Sequence, residues 1–294
     1  AKDFENLRKS LAHSYRLTAF IAVGVFILSQ SFAALVLTGL HTPSNIIGMS
    51  LLYLRIIFCG IPATAAYNMF AAALRAMGNS KTPLTAMIIA SVLNILLDIL
   101  FVAGFGWGVA GAAIATVIAQ SFSAVYCFLI LRRIDIVHLS RADFMSAAGM
   151  NARLMKLGIP VVFQNIIIGV GGLVVQYVIN GYGFLFVAGF TATNKLYGLL
   201  EMAAISYGYA IVTYVGQNLG AGKIDRIRKG VRSSMLLSLL TSLLISAAMF
   251  LFGKNILSLF ISGEPQQTRE VLAIAFKYLS IMAAMLWVLY LLYV

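Results

Sequence analysis

Apolar residues fall in eight long blocks along the chain, roughly 15–38, 48–74, 84–104, 108–131, 157–180, 184–216, 233–261 and 271–293. A bilayer span needs about 20 predominantly apolar residues, and each block reaches that length. Within lipid every backbone N–H and C=O must find its partner inside the segment, which predicts helices throughout. Several blocks exceed one bilayer thickness, so tilt or projecting helix ends are expected.

Polar connectors separate the blocks, and they alternate in charge. One set, residues 1–16, 75–83, 132–156 and 217–232, carries most of the lysines and arginines: Arg8, Lys9 and Arg16; Arg75 and Lys81; Arg132, Arg133, Arg141, Arg153 and Lys156; Lys223 through Arg232. The other set, 39–47, 105–107, 181–183 and 262–270, holds only Arg269. Every second connector is therefore basic, which is the pattern of loops retained in the cytoplasm. It predicts a multi-pass protein of the cytoplasmic membrane with residue 1 on the cytoplasmic side.

The chain also repeats itself. Ala1-Lys2-Asp3-Phe4-Glu5-Asn6-Leu7-Arg8-Lys9 parallels Ala221-Gly222-Lys223-Ile224-Asp225-Arg226-Ile227-Arg228-Lys229. Pro43 parallels Pro265, and Tyr53-Leu54-Arg55-Ile56 parallels Tyr278-Leu279-Ser280-Ile281, all at an offset of about 220 residues. Three pieces in one order on one side of the membrane indicate a genuine parallel repeat. The copies are cut differently, which predicts a fragment lacking about two spans at each end. The long basic connector divides it into an amino-terminal lobe, 1–140, and a carboxy-terminal lobe, 141–294.

Composition agrees and narrows the function. The 294 residues are 61% hydrophobic and 10% charged, with a mean hydropathy of +0.96, whereas soluble domains carry about 25% charged residues. Topology accounts for the net charge of +12 without nucleic acid. Cys59 and Cys127 lie far apart in apolar runs, and His13, His41 and His138 are scattered, so neither a metal centre nor a cofactor is expected. Gly169-Val170-Gly171-Gly172 sits inside a span with no preceding strand, which fits helix packing rather than nucleotide binding. No Walker-type string occurs, so ATP-driven pumping has no support. No catalytic triad or zinc-protease motif is present, and an enzyme is not expected.

Charged and amide side chains inside spans carry the candidate chemistry. Asp98 lies in an apolar block, where a carboxylate costs about 2.5–3.5 kcal/mol on insertion scales. Asn94, four residues earlier, shares its helix face. Together they could coordinate a small cation, or the carboxyl could carry a proton. A polar clasp between helices is the competing reading. Glu201 is a second acid within a span; Lys195, six residues away, faces elsewhere on an ideal helix. Asn68, Gln120, Gln164, Tyr177, Asn194, Lys195 and Glu201 are the candidate substrate contacts. Such residues also serve as plain interhelical hydrogen bonds.

Several strings resemble one transporter family. They are Gly60-Ile61-Pro62, Tyr67-Asn68-Met69, Leu74-Arg75-Ala76-Met77-Gly78-Asn79-Ser80-Lys81-Thr82-Pro83-Leu84, Asn94-Ile95-Leu96-Leu97-Asp98, Gly108-Val109-Ala110-Gly111-Ala112-Ala113 and Tyr214-Val215-Gly216-Gln217-Asn218-Leu219-Gly220-Ala221-Gly222. In this order they resemble the multidrug and toxic compound extrusion (MATE) transporters. The resemblance implies an all-α membrane fold of two parallel-repeat bundles, with the third to tenth of twelve spans present here. It implies cation or proton coupling at an Asn/Asp pair, with a threonine on the next span that Thr116 matches. The family site also uses an aspartate from the first span, which the present residues do not include. Another branch places acids in the seventh and tenth spans; here the seventh has Gln164, Asn165 and Gln176, and the tenth shows none. The function implied is a secondary antiporter, driven by sodium ions or protons, that exports amphipathic or cationic small molecules. A lipid-linked oligosaccharide flippase of related fold and a non-transporting scaffold are the alternatives. A flippase should present a strongly cationic cavity, whereas basic residues in spans are few: Lys195, with Arg55 and Lys277 nearer the ends.

Overall fold

The structure, a computed structural model, describes residues 4–39, 44–145, 149–261 and 264–294. His41 and Pro43, and with Pro43 that half of the proline correspondence, lie outside them. The described residues are helical almost throughout. In order they form α1 (Phe4–Gly39), α2 (Ser44–Cys59), α3 (Ile61–Ala76), α4 (Lys81–Asp98), α5 (Gly108–Arg132), α6 (Arg141–Met145), α7 (Met150–Asn180), α8 (Phe184–Gly220), α9 (Ile224–Ser258) and α10 (Pro265–Tyr293). Eight helical stretches are long and apolar enough to cross a membrane, with α2 and α3 counting as one. Each of the eight apolar blocks corresponds to one of them, the block 233–261 running slightly past the end of its stretch at Ser258.

Three local features depart from a plain reading of the apolar blocks. The second block is broken at Gly60, between α2 and α3. Pro62 has no N–H to give the carbonyl of Phe58 and clashes with a continuing helix. It sits where a new helix tolerates it, in the first turn of α3. The third block ends as a π-helical turn, Ile99–Gly104, directly after Asp98. There the Phe105 N–H donates to the Leu100 carbonyl at 2.9 Å. The basic connectors are also more helical than expected: α8 runs on to Gly220, α9 starts at Ile224, and α7 starts at Met150. These turns extend beyond the apolar blocks, where water can satisfy what the helix leaves open.

Two of the basic turns are closed by glycine. After α3, Gly78 has φ +87°, its N–H donates to the Arg75 carbonyl and that of Asn79 to the Leu74 carbonyl, both at 2.9 Å. After α8, Gly222 has φ +69°; Lys223 N–H reaches the Asn218 carbonyl at 2.8 Å and Gly222 N–H the Leu219 carbonyl at 3.0 Å. Both are Schellman ends, whose left-handed residue only glycine adopts without steric cost.

The chain divides into two compact units, Lys2–Gly158 and Ile159–Val294. In the amino-terminal unit α5 packs against α2, α3 and α4, while α1 packs on α2 and α3. The buried face of α5 is made of small residues, including Gly111, Ala113, Ala115, Ala119 and Ser123. Small residues let helices approach closely where lipid supplies no hydrophobic drive between them. A second apolar core gathers Leu11, Leu74, Cys127, Leu131 and Val137 at the basic end.

In the carboxy-terminal unit α8, α9 and α10 pack on one another around Leu196, Leu257, Leu279, Leu286 and Tyr290. Hydroxyl groups stitch these helices. Thr193 donates to the Ala275 carbonyl at 3.0 Å, Ser246 to the Ala283 carbonyl at 2.7 Å and Tyr290 to the Leu200 carbonyl at 3.0 Å. No residue of α7 is buried. Large apolar side chains cover the outside of both units, which suits a lipid solvent.

Candidate functional site

A pocket of about 320 Å³ opens inside the amino-terminal unit. Three helices supply its walls: Thr64, Tyr67 and Asn68 from α3; Met87, Ser91 and Asn94 from α4; Thr116, Gln120 and Ser123 from α5. Polar residues at helical spacing make one stripe on each apolar helix: 64 and 68, then 91 and 94, then 116, 120 and 123. Residues so spaced share a face, so the three stripes converge on one space.

Asp98 continues the α4 stripe by one turn. Its Oδ1 and the Nδ2 of Asn94 are both buried without a hydrogen-bond partner. A buried unsatisfied polar group costs about 1–3 kcal/mol, and more if charged. The two are complementary: Asp98 Oδ1 is an acceptor that a water, a proton or a small cation can engage, whereas Asn94 Nδ2 is a donor that only an acceptor such as water satisfies, leaving the Asn94 Oδ1 as the atom that could ligate a cation. The Thr116 hydroxyl spends its proton on the Ala112 carbonyl at 3.0 Å, which leaves its oxygen lone pairs free to accept or to ligate. On the opposite wall the Thr64 hydroxyl meets Gln120 Oε1 at 2.5 Å.

The structure thus gathers Asn68, Asn94, Thr116 and Gln120 in one pocket, with Asp98 one turn beyond Asn94. Sequence reasoning passed over Thr64, Ser91 and Ser123. The stripe spacing could have found them, because a polar residue every third or fourth position has no purpose on a lipid-facing side.

The remaining sequence candidates lie in the carboxy-terminal unit. Glu201 on α8 accepts a hydrogen bond from the Tyr293 hydroxyl of α10 at 3.1 Å. Asn194 is half-buried and Lys195 exposed on α8, and Gln164 is exposed on α7. Tyr177 is 82% exposed.

At the basic end of the amino-terminal unit a polar cluster fastens the long connector to α1. Asp143 of α6 accepts from the Ser140 N–H at 2.7 Å and the Ser140 hydroxyl at 2.8 Å, and lies 4.0 Å from Arg8. The Ser140 N–H, then its hydroxyl, and the Arg8 and Lys9 charges hold the carboxyl below its ordinary range. His13 is 5% exposed and its Nδ1 lies 2.8 Å from Asn151 Oδ1.

Among described residues no cluster of histidine, cysteine and acidic side chains could hold a metal ion. Comparison with known proteins assigns the family. The MatE family model matches residues 1–100 and 160–294. A probable multidrug resistance protein of Bacillus subtilis, YpnP, is 34% identical over 246 residues, which is 84% of this chain and 54% of that protein. Another from the same organism, YoeA, is 28% identical, covering 96% of this chain and 61% of that protein. The chain therefore spans little more than half the length of these relatives. Among solved structures, a transporter of the MOP superfamily from Pyrococcus furiosus superposes with a TM-score of 0.90 at 20% identity, over 97% of this chain and 63% of that one. An outward-facing multidrug resistance MATE transporter gives 0.86 at 19% identity, over 99% and 66%. The chain belongs to the MatE family of multidrug and toxic compound extrusion transporters.

Proposed function

We propose that this chain forms part of a secondary antiporter that exports amphipathic or cationic small molecules in exchange for sodium ions or protons. The observation that carries the reading is that half-buried Asn94 and Asp98 each keep one buried atom without a partner beside a polar pocket. In this reading Asp98, Asn94 and Thr116 take the coupling ion. Asn68 and Gln120 contact substrate in the same pocket; Gln164, Tyr177, Asn194, Lys195 and Glu201 are the substrate-contact candidates of the carboxy-terminal unit, taken by itself. The basic connectors lie in the cytoplasm, in a cytoplasmic membrane, and no ATP or nucleic acid takes part.

Coupling follows from differential binding. An ion shifts a two-state equilibrium only by the difference in its affinity for the two states. An empty Asp98 face is costly, so a conformation that offers it an ion is favoured while the ion is bound. Substrate in the adjoining pocket competes for the same polar surface, and its release resets the site. The names of the relatives and the converging stripes support this reading. The test is dye efflux from an efflux-deficient bacterium expressing the full-length protein, as wild type and as Asp98→Asn, with and without sodium. Loss of efflux with membrane expression intact assigns coupling to Asp98, and sodium dependence identifies the ion. Normal efflux by the variant would overturn the assignment.

A further inference from the structure

The break at Gly60 and the space around α3 have no place in the coupling scheme above. The Gly60 N–H folds back onto the Ile57 carbonyl at 2.9 Å, and the Thr64 N–H restarts the helix on the Gly60 carbonyl at 2.9 Å. A Cβ at Gly60 would lie 3.0 Å from Val117 Cγ2 and 3.3 Å from Gln120 Oε1. The break is therefore pressed directly onto α5. One turn on, the Thr64 hydroxyl has a single proton and two acceptors: the Gly60 carbonyl at 3.1 Å and Gln120 Oε1 at 2.5 Å. It joins the break to the pocket wall. Meanwhile α3 has open space on both sides. Thr64, Tyr67 and Asn68 face the polar pocket of about 320 Å³. Pro62, Ala65, Ala66, Met69 and Phe70 line a second, apolar cavity of about 380 Å³ against α1 and α5. Pro62 is exposed and Ala65, Ala66, Met69 and Phe70 are half-buried, so the apolar hollow opens to the outside and leaves α3 room to move, and breaks that free backbone bonds are where helices bend.

We propose that α3 is a hinged wall of the pocket, held by a latch between Thr64 and Gln120. A pocket ligand that takes up the Gln120 amide frees α3 to tilt from Gly60 into the apolar cavity. Gln120 is then a positioning residue, reporting occupancy of the pocket to the backbone. This last step rests on the transport reading; the hinge and latch do not.

The test is amide hydrogen exchange over residues 57–70 of the full-length protein in detergent, without substrate, alongside ethidium efflux in cells. T64V keeps the side-chain shape and removes the latch proton; T64S restores it. T64V is expected to speed exchange in this segment roughly ten-fold, the factor that one lost net hydrogen bond supports, while T64S stays slow. A66L fills the apolar cavity, so T64V/A66L is expected to return to slow exchange. A66L alone is expected to lower kcat for ethidium efflux with KM unchanged. Exchange in T64V within two-fold of wild type, or a double variant as fast as T64V, overturns the hinge. A wild-type protein that exports no ethidium but shows the exchange pattern counts against the transport reading and leaves the hinge standing.

Discussion

Replacing Asp98 by leucine should stabilise the protein while abolishing its work. Asp98 Oδ1 is buried with no partner, and so is Asn94 Nδ2 one turn earlier. Each unsatisfied group costs about 1–3 kcal/mol, and a leucine of similar reach removes the first of these costs and adds apolar contact. In sodium-free buffer at neutral pH the variant should therefore unfold later, by about 1–3 kcal/mol. The wild type should recover the difference when its ion is supplied. A ligand at a hundred times its dissociation constant stabilises by about 2.7 kcal/mol. The assay is thermal unfolding of purified full-length protein in detergent, with a sodium titration, next to dye efflux in cells. The expected pattern has three parts: a higher transition for Asp98→Leu without sodium, a shift with sodium in the wild type only, and no efflux by the variant. The two positions share a helix face and are not independent, so Asn94→Leu combined with Asp98→Leu should gain less than the sum. A variant that unfolds earlier than wild type without sodium would refute the reasoning, because Oδ1 would then be engaged by another helix and the pair would be a clasp.

Other expectations follow from particular contacts. Gly111→Ala would press a Cβ to within 2.9 Å of Phe101 Cβ and 3.1 Å of its backbone, and Gly189→Ala to within 3.1 Å of the Val271 carbonyl. Each should cost about 1–3 kcal/mol in thermal unfolding, whereas Gly24→Ala and Gly198→Ala, with nothing within 4 Å, should cost little. Tyr290→Phe and Thr193→Val each remove one bond between helices and should cost about 0.6 kcal/mol, up to about 1.7, by the same measurement. The Asp143 carboxyl is held below its ordinary range, so its contribution is present above the unfolded carboxylate value and is lost as pH falls through the lower folded one. Tryptic cleavage at Arg141 and Arg153 should therefore be slow at neutral pH in the wild type and faster in Asp143→Asn; equal rates would mean that Asp143 does not hold the connector.

The spans were legible because lipid forces it: a helix that must satisfy its own backbone in hydrocarbon needs an unbroken apolar run. Interruptions inside a run were less so. Gly60 and Pro62 are visible as letters, but their consequence depends on α5 lying against the break. The π turn at Ile99–Gly104 has no marker at all, being apolar on every side. Its neighbour Gly111, which packs against Phe101, shows that tertiary contact accompanies it. Glu201 was visible as an acid in a span, but its partner Tyr293 is 92 residues away, beyond any local spacing.

The pocket stood between these cases. Asn68, Asn94, Thr116 and Gln120 are conspicuous in apolar blocks. Ser123 and Thr64 are not, because a small hydroxyl in a helix ordinarily donates back to its own turn, as Ser123 does to the Ala119 carbonyl at 3.2 Å. Spacing alone does not decide which polar pairs are sites, and two pairs of equal spacing show why. On α7, Gln176 Nε2 donates to Asn180 Oδ1 at 2.8 Å, four residues on; the pair closes on itself and offers that bond to nothing else. On α4, Asn94 and Asp98 have the same spacing, yet an atom of each stays buried and unpartnered. The sequence gives both pairs the same helical geometry, and the difference lies in what surrounds them. The α7 pair already holds its bond within its own helix. A buried pair that stays open retains its desolvation cost until a third party arrives. That third party is what a coupling site requires, and it is why the α4 pair, rather than the equally spaced α7 pair, carries the proposed mechanism.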